Sequence, residues 1–492
     1  MPAQADQLRY MAATVGDEVA YVDLIRDESM TFAEWDRGAN RLARGLTRAK
    51  VQPGDRVALH VDAAHALRWL IAYPAIHRAG AVAVPTNTRL TRRELDSILG
   101  HAKATAVITS SELVDLHAGR DVALMVVDDG WDDLLDDDGS TIDHGIDDDD
   151  LADVVYTSGT TGLPKGIAVR HRNAHIIPNG EPKWTGDAWL HALPMFTFAG
   201  ISFVYNPMKM GMRGLYLSRF DVDTWIDTVE TRRPTSAFLV PAMVQLLLNS
   251  PRLADADLSS LSLVSIGSAP LPPSLHLAFA DLLPDASVSN NYSMTEAGTA
   301  FTFLPKEELH RRVGSVGVPI GTEIRIVDEE GDALPAGEIG EVLIRVGEGH
   351  REYYADPEAT AATWSGDWLR SGDLGELDAD GYLYIRGRKK DMIIRGGHNI
   401  VATDVESVLY EHPAVLEAAA VPVPHEVLGE DVGAAVVLKA GATVEPAELQ
   451  SFCEERLADY KVPRVIWFLD ELPRNPTGKV LKDELVVPSI LE

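Results

Sequence analysis

The chain has little cysteine, few basic residues for its many acidic ones, and no long apolar run. Its single cysteine, Cys453, excludes an internal disulfide and a cysteine-rich metal cluster. With 44 Lys and Arg against 75 Asp and Glu, the formal charge of −31 argues against non-specific binding to nucleic acid or to an anionic membrane. No apolar run reaches the ~18 residues of a membrane span, and residues 1–13 lack an apolar stretch behind a basic start. We therefore expect a cytoplasmic protein.

The chain does contain repeated α/β patterns. Its 492 residues are too many for one core and predict two or more domains. Over residues 56–109, and again over 188–290, apolar strand-like runs alternate with helix-like runs, which indicates βαβ units on parallel sheets. Residues 314–347 change to short alternating strands with Gly/Pro turns, typical of a small antiparallel barrel.

The predicted fold class is therefore α/β, with two domains. Residues 1–386 form a large multi-layer α/β N-terminal domain with a small β-barrel portion, and residues 387–492 a small, mobile α+β C-terminal domain. We place the boundary at the basic stretch 386–391. In the small domain, Thr403 and Glu406 have the spacing of a capping box, which predicts that a helix begins there.

A stretch rich in Gly and Thr, Tyr-Thr-Ser-Gly-Thr-Thr-Gly-Leu-Pro-Lys-Gly at 156–166, has the composition of a phosphate loop. Glycines such as Gly159 let the backbone turn its N–H groups toward anionic oxygens. The loop follows the apolar run 151–156, as a loop at the carboxyl end of a strand should. It is not a Walker A loop, because Gly166 stands where Ser or Thr would hold magnesium. Its hydroxyl donors and its cation are Thr157, Ser158, Thr160, Thr161 and Lys165.

These eleven residues resemble the signature of the adenylate-forming superfamily, which comprises acyl-CoA synthetases, aryl-CoA ligases, luciferases and peptide-synthetase adenylation domains. The resemblance implies that ATP activates a carboxylic acid to an acyl-adenylate. Further segments match the superfamily in the expected order, so the likeness covers nearly the whole chain.

The resemblance assigns nucleotide contacts to two of those segments. Residues 290–296, Asn-Asn-Tyr-Ser-Met-Thr-Glu, look like the adenine and α-phosphate motif. This implies that Tyr292 stacks near adenine, Thr295 contacts the α-phosphate and Glu296 holds Mg²⁺, with Asn291 and Ser293 beside them. A hard cation that bridges phosphates does require carboxylate oxygen. The second segment, Gly267, Ser268 and Ala269, resembles one that lines both the adenine and the acyl sites.

The ribose, hinge and adenylation positions follow from the same resemblance. Asp373, in Trp-Leu-Arg-Ser-Gly-Asp at 368–373, matches the aspartate that accepts the ribose hydroxyls, with Arg388 assisting. Lys390 matches the hinge. Lys479, in Pro-Arg-Asn-Pro-Thr-Gly-Lys at 473–479, matches the adenylation lysine, which offsets the repulsion between a carboxylate and a triphosphate. The candidate catalytic residues are therefore Lys479, Thr295 and Glu296.

Two further segments resemble the parts of the superfamily that border coenzyme A and the acyl group. Gly396, Gly397 and His398 resemble the loop that borders the pantetheine channel of coenzyme A, although His398 stands where glutamate is frequent. Residues 193–200 resemble an acyl-site segment in which histidine is frequent where this chain has Thr197. We expect an apolar pocket for a fatty, alicyclic or aromatic acid, formed by Phe196, Thr197, Phe198, Gly200, Met294 and Gly298.

We therefore expect an AMP-forming carboxylic acid:CoA ligase that uses ATP, Mg²⁺ and coenzyme A, with a small-molecule acid as substrate. Loading of a carrier-protein thiol shares every adenylation motif and stays open. A regulatory nucleotide-binding protein with a decayed site is a further alternative, but the presence of Glu296, Asp373 and Lys479 together argues against decay. A homodimer is kept as an expectation. His171 and His175 are spaced like a metal pair, but without a His-Glu-x-x-His pattern or a third ligand, surface histidines on a helix are favoured.

Overall fold

The structure is a computed structural model, and it describes residues 3–142, 144–157, 165–174, 176–298, 300–474 and 479–488. Within these residues, no helix has the length and apolar content needed to cross a membrane.

Strands and helices alternate through most of the chain. The strands are β1 Val19–Asp23, β2 Glu28–Thr31, β3 Arg56–His60, β4 Val82–Pro85, β5 Ala104–Thr109, β6 Ala123–Val126, β7 Leu151–Thr157, β8 Lys165–Arg170, β9 Ala188–His191, β10 Arg213–Tyr216, β11 Ser236–Leu239, β12 Leu263–Ile266, β13 Ser287–Asn290, β14 Phe301–Phe303, β15 Val318–Ile320, β16 Glu323–Val327, β17 Gly340–Arg345, β18 Glu352–Tyr353, β19 Trp364–Ser365, β20 Trp368–Leu377, β21 Leu383–Arg388, β22 Ile393–Arg395, β23 His398–Ile400, β24 Val415–His425, β25 Gly429–Leu438 and β26 Val465–Phe468. The helices are α1 Ala3–Val15, α2 Phe32–Arg48, α3 Ala66–Arg78, α4 Arg92–Ala102, α5 Trp131–Leu134, α6 Phe198–Lys209, α7 Val222–Arg232, α8 Pro241–Leu248, α9 Pro273–Asp281, α10 Pro357–Thr363, α11 Ala402–Glu411 and α12 Pro446–Glu454.

Two seven-stranded sheets form the large N-terminal portion. One has the order β13-β12-β11-β9-β10-β1-β2 and is parallel except for β2, and the other has the order β18-β8-β7-β4-β3-β5-β6 and is parallel from β7 to β6. Trp35 of α2, Tyr73 of α3 and Tyr205 of α6 are fully buried in the largest apolar cluster, which joins both sheets. The loops at the carboxyl ends of the parallel strands therefore converge on one side, where open α/β sheets bind their ligands.

Two five-stranded sheets and the two-stranded antiparallel sheet β14-β15 are the other sheets in the described residues, and the architecture confirms the predicted α/β class with a large N-terminal and a small C-terminal domain. The first is antiparallel and partly curled, with the order β16-β17-β20-β19 and β21 paired to β20. The second has the order β23-β22-β25-β24, with β26 parallel to β25, and packs against α11 and α12 around its own apolar cluster. Helix α11 lies against α9 of the large portion. A boundary between residues 386 and 387 stays a prediction.

Two local predictions were wrong. Thr403 and Glu406 form no capping box, because α11 begins at Ala402 and Thr403 donates its hydroxyl to the carbonyl of Arg386 while Glu406 accepts from the amide of Ala420 at 2.9 Å. His171 is not a surface histidine, since it is 4% exposed and its ring centroid lies 5.3 Å from that of His77. Partners that are distant in sequence contact these side chains, so the side chains do not have the roles that their local sequence predicts. His175 lies outside the described residues.

Candidate active site

The phosphate loop joins the antiparallel strands β7 and β8. Thr157 ends β7, Lys165 begins β8, and the two are paired in register. The Lys165 ammonium lies 5.1 Å from the centroid of the Tyr353 ring. Ser158, Gly159, Thr160 and Thr161 lie outside the described residues.

The predicted adenine segments follow two neighbouring parallel strands. Ile266 and Asn290 are paired where β12 and β13 end, so Gly267–Ala269 and Asn291 lie side by side. A Cβ on Gly267 would approach the Asn291 carbonyl oxygen to 3.2 Å, and Ser268 has a φ of +70°. Such backbone strain in a non-glycine residue is typical of a ligand site.

Asn291 and Ser293 are held by the strand that follows. The Asn291 amide donates to the Thr302 carbonyl at 2.7 Å, and the Ser293 hydroxyl donates to the Ala300 carbonyl at 2.8 Å. The buried Asn291 Oδ1 has no hydrogen-bond partner in the part of the chain that the structure describes. A buried acceptor without a partner is costly, so a donor such as the adenine amino group would satisfy it.

Asp373, the predicted ribose residue, is held from both sides. The Tyr292 hydroxyl donates to its Oδ2 at 2.6 Å, and Arg388 Nε donates to its Oδ1 at 2.8 Å. Arg388 is in place because β20 and β21 pair these two residues in register. Burial, then the charge of Asp373, raise the pKa of Tyr292 well above its ordinary value, so its hydroxyl stays protonated and remains a donor.

Lys479, near the end of the chain, lies within electrostatic range of the same group. It is half-buried, and burial lowers the pKa of Lys479; nearby Arg388 lowers it further, whereas Asp373 raises it. Lys390 lies two positions after Arg388, with its ammonium 3.1 Å from Asp483 Oδ2.

The turn that carries Thr295 and Glu296 is fixed by two residues that the sequence did not reveal. The Tyr353 hydroxyl donates to Glu296 Oε1 at 3.2 Å, and Arg351 Nη1 donates to the Thr295 carbonyl at 2.7 Å. No signal in the sequence could have found them, because their partners lie more than fifty positions away.

The residues present fit a magnesium ion that is held mainly by a nucleotide. Within the described residues, no three His, Cys, Asp or Glu side chains cluster as a protein metal site. Glu296 nevertheless offers a half-buried carboxylate, which accepts a hydrogen bond from the tyrosine whose ring lies against Lys165. Mg²⁺ commonly binds through one or two carboxylates together with substrate phosphates and water.

The six predicted acyl-pocket residues divide into two groups. Phe196 lines an open cleft between the two large sheets, together with Trp69, Arg89, Met195 and Tyr216. The others are occupied in packing: Thr197 caps α6 through Gly200 N at 2.9 Å, Gly200 lies against Pro194, Phe198 lies 4.1 Å beneath the guanidinium of Arg351, Gly298 abuts Gly349 and Arg351, and Met294 packs on the curled sheet.

The predicted coenzyme A loop is exposed on the small domain. Gly396 and Gly397 have φ values of +55° and +88°, which suit glycine. The Gly396 amide donates to the Leu428 carbonyl at 3.0 Å, and the ring of His398 stacks on Tyr460 at 4.8 Å. Both of these partners also belong to the small domain.

Comparison with known proteins gives the family. Residues 8–354 match the AMP-binding enzyme model, and residues 404–479 match that of the AMP-binding enzyme C-terminal domain. A feruloyl-CoA synthase of Amycolatopsis sp is 37% identical over 469 residues, covering 93% of both chains. A long-chain-fatty-acid–CoA ligase of Mycobacterium tuberculosis is 34% identical and covers 96% of both. A fatty acid–[acyl-carrier-protein] ligase of Streptomyces coeruleorubidus is 32% identical and covers 94% of this chain and 92% of that protein.

Solved structures agree with these relatives. ATP-bound MatB from Rhodopseudomonas palustris superposes with a TM-score of 0.86 at 31% identity, over 97% of both chains. An anthranilate CoA ligase in complex with anthranoyl-AMP gives 0.88 at 27% identity, over 98% of this chain and 96% of that one. The chain therefore belongs to the AMP-binding enzyme family, within the adenylate-forming superfamily, and is an ATP-dependent, AMP-forming acyl-CoA synthetase.

Proposed function

We propose that this enzyme activates a fatty, alicyclic or aromatic acid in two steps at one site. The carboxylate first attacks the α-phosphorus of ATP, giving acyl-adenylate and pyrophosphate, and the thiolate of coenzyme A then attacks the acyl carbon and releases AMP. The observation that carries this proposal is that Tyr292 and Arg388 both hold the Asp373 carboxylate, with the charges of Arg388 and Asp373 near enough to shift the pKa of Lys479.

Each of these side chains has a distinct task in the proposed first step. Asp373 accepts the ribose hydroxyls, and Arg388 keeps that carboxylate oriented. Lys479 lies between the incoming carboxylate and the α-phosphoryl oxygen and offsets the repulsion between the two anions. A bound triphosphate favours the charged form of Lys479 and so opposes the effect of burial on its pKa.

The remaining phosphate contacts belong to the loop and to the Thr295–Glu296 turn. Thr157, Lys165 and the loop between them would bind the phosphates, and Glu296 would hold Mg²⁺. When bound, the ion supplies positive charge that neutralises the leaving pyrophosphate.

An apolar acid is proposed because of the cleft beside the acyl segment. Phe196, Met195 and Trp69 give it apolar walls on one part, whereas Arg89, Asp62 and Asn87 line a polar part of the same cleft. The relatives named above act on an aromatic acid in one case and on long-chain fatty acids in another. These names support an acid with an apolar body and leave its length to experiment.

Transfer to a carrier-protein thiol is the second candidate function. It is favoured by the relative that is named as a fatty acid–[acyl-carrier-protein] ligase. In that case the exposed loop Gly396–His398 would meet a tethered pantetheine instead of free coenzyme A.

The test is AMP release from ATP across short, long, alicyclic and aromatic acids, with and without coenzyme A. We expect acid-dependent release that requires coenzyme A and is largest for apolar acids. Acid-dependent pyrophosphate exchange with no release on adding coenzyme A would favour the carrier-protein acceptor. No acid-dependent exchange at all would refute adenylation.

A cytoplasmic location and a homodimer remain predictions. Fractionation of the source cells checks the location, and light scattering of the purified chain checks the dimer.

A further inference from the structure

A two-residue strand, β18, runs beside the strand that leaves the phosphate loop. Glu352 pairs with Ala168 and Tyr353 with Ile167 of β8, and the Tyr354 amide donates to the Gly166 carbonyl at 2.7 Å. Side chains two positions apart in a strand point to the same face. Arg351 and Tyr353 therefore both face the site, whereas Glu352 is exposed and Tyr354 lies near His101.

Tyr353 contacts the predicted phosphate-binding cation, Lys165, and the predicted magnesium-binding carboxylate, Glu296, at once. The ring lies under the Lys165 ammonium, and the hydroxyl donates to Glu296 Oε1. Because the hydrogen bond is made on Oε1, the second carboxylate oxygen can face a cation.

Arg351 joins three further segments at the same place. It is 1% exposed, its two terminal nitrogens donate to the carbonyls of Thr295 and Asn173, and its guanidinium lies 4.1 Å from the centroid of Phe198. Asn173 follows β8, Thr295 precedes Glu296, and Phe198 begins α6. A buried guanidinium is costly to desolvate, so its presence at this point suggests that Arg351 has a function there.

We propose that Arg351 and Tyr353 are positioning residues that hold the Thr295–Glu296 turn at a fixed distance from Lys165. In this arrangement the carboxylate is presented to the cation of MgATP before the nucleotide binds. The inference rests on the proposed function, in which this turn and Lys165 meet the phosphates.

The test measures ATP binding by calorimetry without any acid, so that no turnover occurs. Tyr353→Phe removes only the hydroxyl. Its loss should weaken the binding of MgATP about tenfold, as expected for a hydrogen bond to a charged group, while ATP in EDTA binds within about twofold of wild type. Tyr354→Phe, the adjacent tyrosine on the other face, is the matched control and should bind like wild type in both conditions.

Arg351→Met gives a second measurement. We expect it to raise the apparent KM for Mg²⁺ in pyrophosphate exchange more than it lowers kcat. Arg78→Met, at an equally buried arginine that pairs with Asp36, should lower the melting temperature without this change in KM.

Three outcomes would overturn the proposal: equal behaviour of the Tyr353 and Tyr354 variants, tighter binding of MgATP by Tyr353→Phe, or an equal loss with and without Mg²⁺. These are distinguishable from failure of the proposed function, in which wild type itself would not bind MgATP and both conclusions would fall.

Discussion

At the scale of single residues, Gly200 shows how closely the acyl segment is folded on itself. A Cβ at this position would lie 1.9 Å from the Pro194 carbonyl oxygen and 3.0 Å from the Met195 Cα. The first turn of α6 can therefore approach the backbone of Pro194 and Met195 this closely only because residue 200 has no side chain. The hydroxyl of Thr197 caps the same turn: it accepts a hydrogen bond from the Gly200 amide and donates one to the Pro194 carbonyl.

Gly200→Ala should consequently destabilise the protein by about 1–3 kcal/mol through overpacking. Urea unfolding of the purified variant measures this. Gly100→Ala is the control, since Gly100 is an exposed residue inside α4 with nothing within 4 Å of the added Cβ. That substitution should be neutral or stabilise by about 0.5–1 kcal/mol, because alanine favours the helix. Similar losses in both variants would contradict the close approach.

The same scale shows what the sequence could and could not predict about the site. Asp373, Arg388 and Lys479 were predicted because each lies in a motif with fixed local neighbours. Arg351 and Tyr353 were not, since their partners come from other segments and no local pattern records that meeting. Thr403 and Glu406 show the reverse error: a good local pattern was overridden by the Arg386 carbonyl and the Ala420 amide.

At the scale of elements, short strands were the most predictable parts. The runs 236–239 and 287–290 form strands with those bounds: Ser-Ala-Phe-Leu is largely apolar, whereas Ser-Val-Ser-Asn has one apolar residue, Val288. The strand β18 has two residues, so no periodicity could reveal it. Its hydrogen bonds to β8 arise only after the chain has folded.

The two predicted working surfaces of the small domain lie on different elements, which allows them to be tested separately. Gly397→Leu should slow thioester formation from supplied acyl-adenylate more than adenylate formation, because a side chain would enter the predicted pantetheine channel. Gly441→Leu is the matched control: Gly441 has a φ of +78°, close to the +88° of Gly397, and equally open surroundings. Lys479→Ala should show the opposite pattern, losing adenylate formation while it retains the thioester step.

Single-turnover assays of each half-reaction provide the measurement. An unchanged thioester rate in Gly397→Leu would refute the channel assignment. Equal loss of both steps in Lys479→Ala would refute the use of two surfaces in turn.

At the scale of the whole molecule, buried histidines make the fold sensitive to acid. Burial lowers the pKa of His60, His117 and His171 from 6.5 to about 4, and that of His191 to about 3. In His60, the neighbouring His117 adds to this effect. Below pH 6.5 the unfolded chain therefore binds more protons than the folded one. The free energy of unfolding decreases as the pH is lowered from 6.5 toward 4.

Between pH 7 and pH 5 we expect the free energy of unfolding to fall by on the order of 2 kcal/mol for each fully buried imidazole. Carboxylates with lowered pKa values contribute mainly at lower pH. Burial lowers the pKa of Lys209 to about 7, which adds a smaller decrease near pH 7, and burial raises the pKa of Asp23, which opposes the decrease. Urea titrations at each pH provide the measurement. His144→Gln, at an exposed histidine, should leave the slope unchanged, whereas a flat stability curve for wild type would contradict the argument.

The net charge of −31 gives the second prediction at this scale. Raising NaCl from 0.1 to 1 M shortens the Debye length from about 10 Å to about 3 Å and screens the repulsion among the excess acidic groups. We expect the melting temperature to rise by a few degrees. Exposed ion pairs such as Arg252–Asp227 weaken at the same time, but each is worth only about 0–1 kcal/mol. A melting temperature that falls with salt would mean that the ion pairs dominate.

The order of the motifs along the chain was enough to predict the superfamily and the α/β class. The orientation of the small domain was not predictable, because it depends on contacts such as that of helix α11 with helix α9. Those two helices are more than a hundred positions apart, and nothing in either segment alone specifies that they meet.

The double engagement of Asp373 has a further consequence for how nucleotide enters. Each carboxylate oxygen has one donor here, and a carboxylate can accept about four hydrogen bonds in all. In the proposed function, a ribose therefore meets an aspartate that is already oriented and still has acceptor positions for both hydroxyls. A deoxyribose lacks one of those donors, so this arrangement would favour ribonucleotides over deoxyribonucleotides.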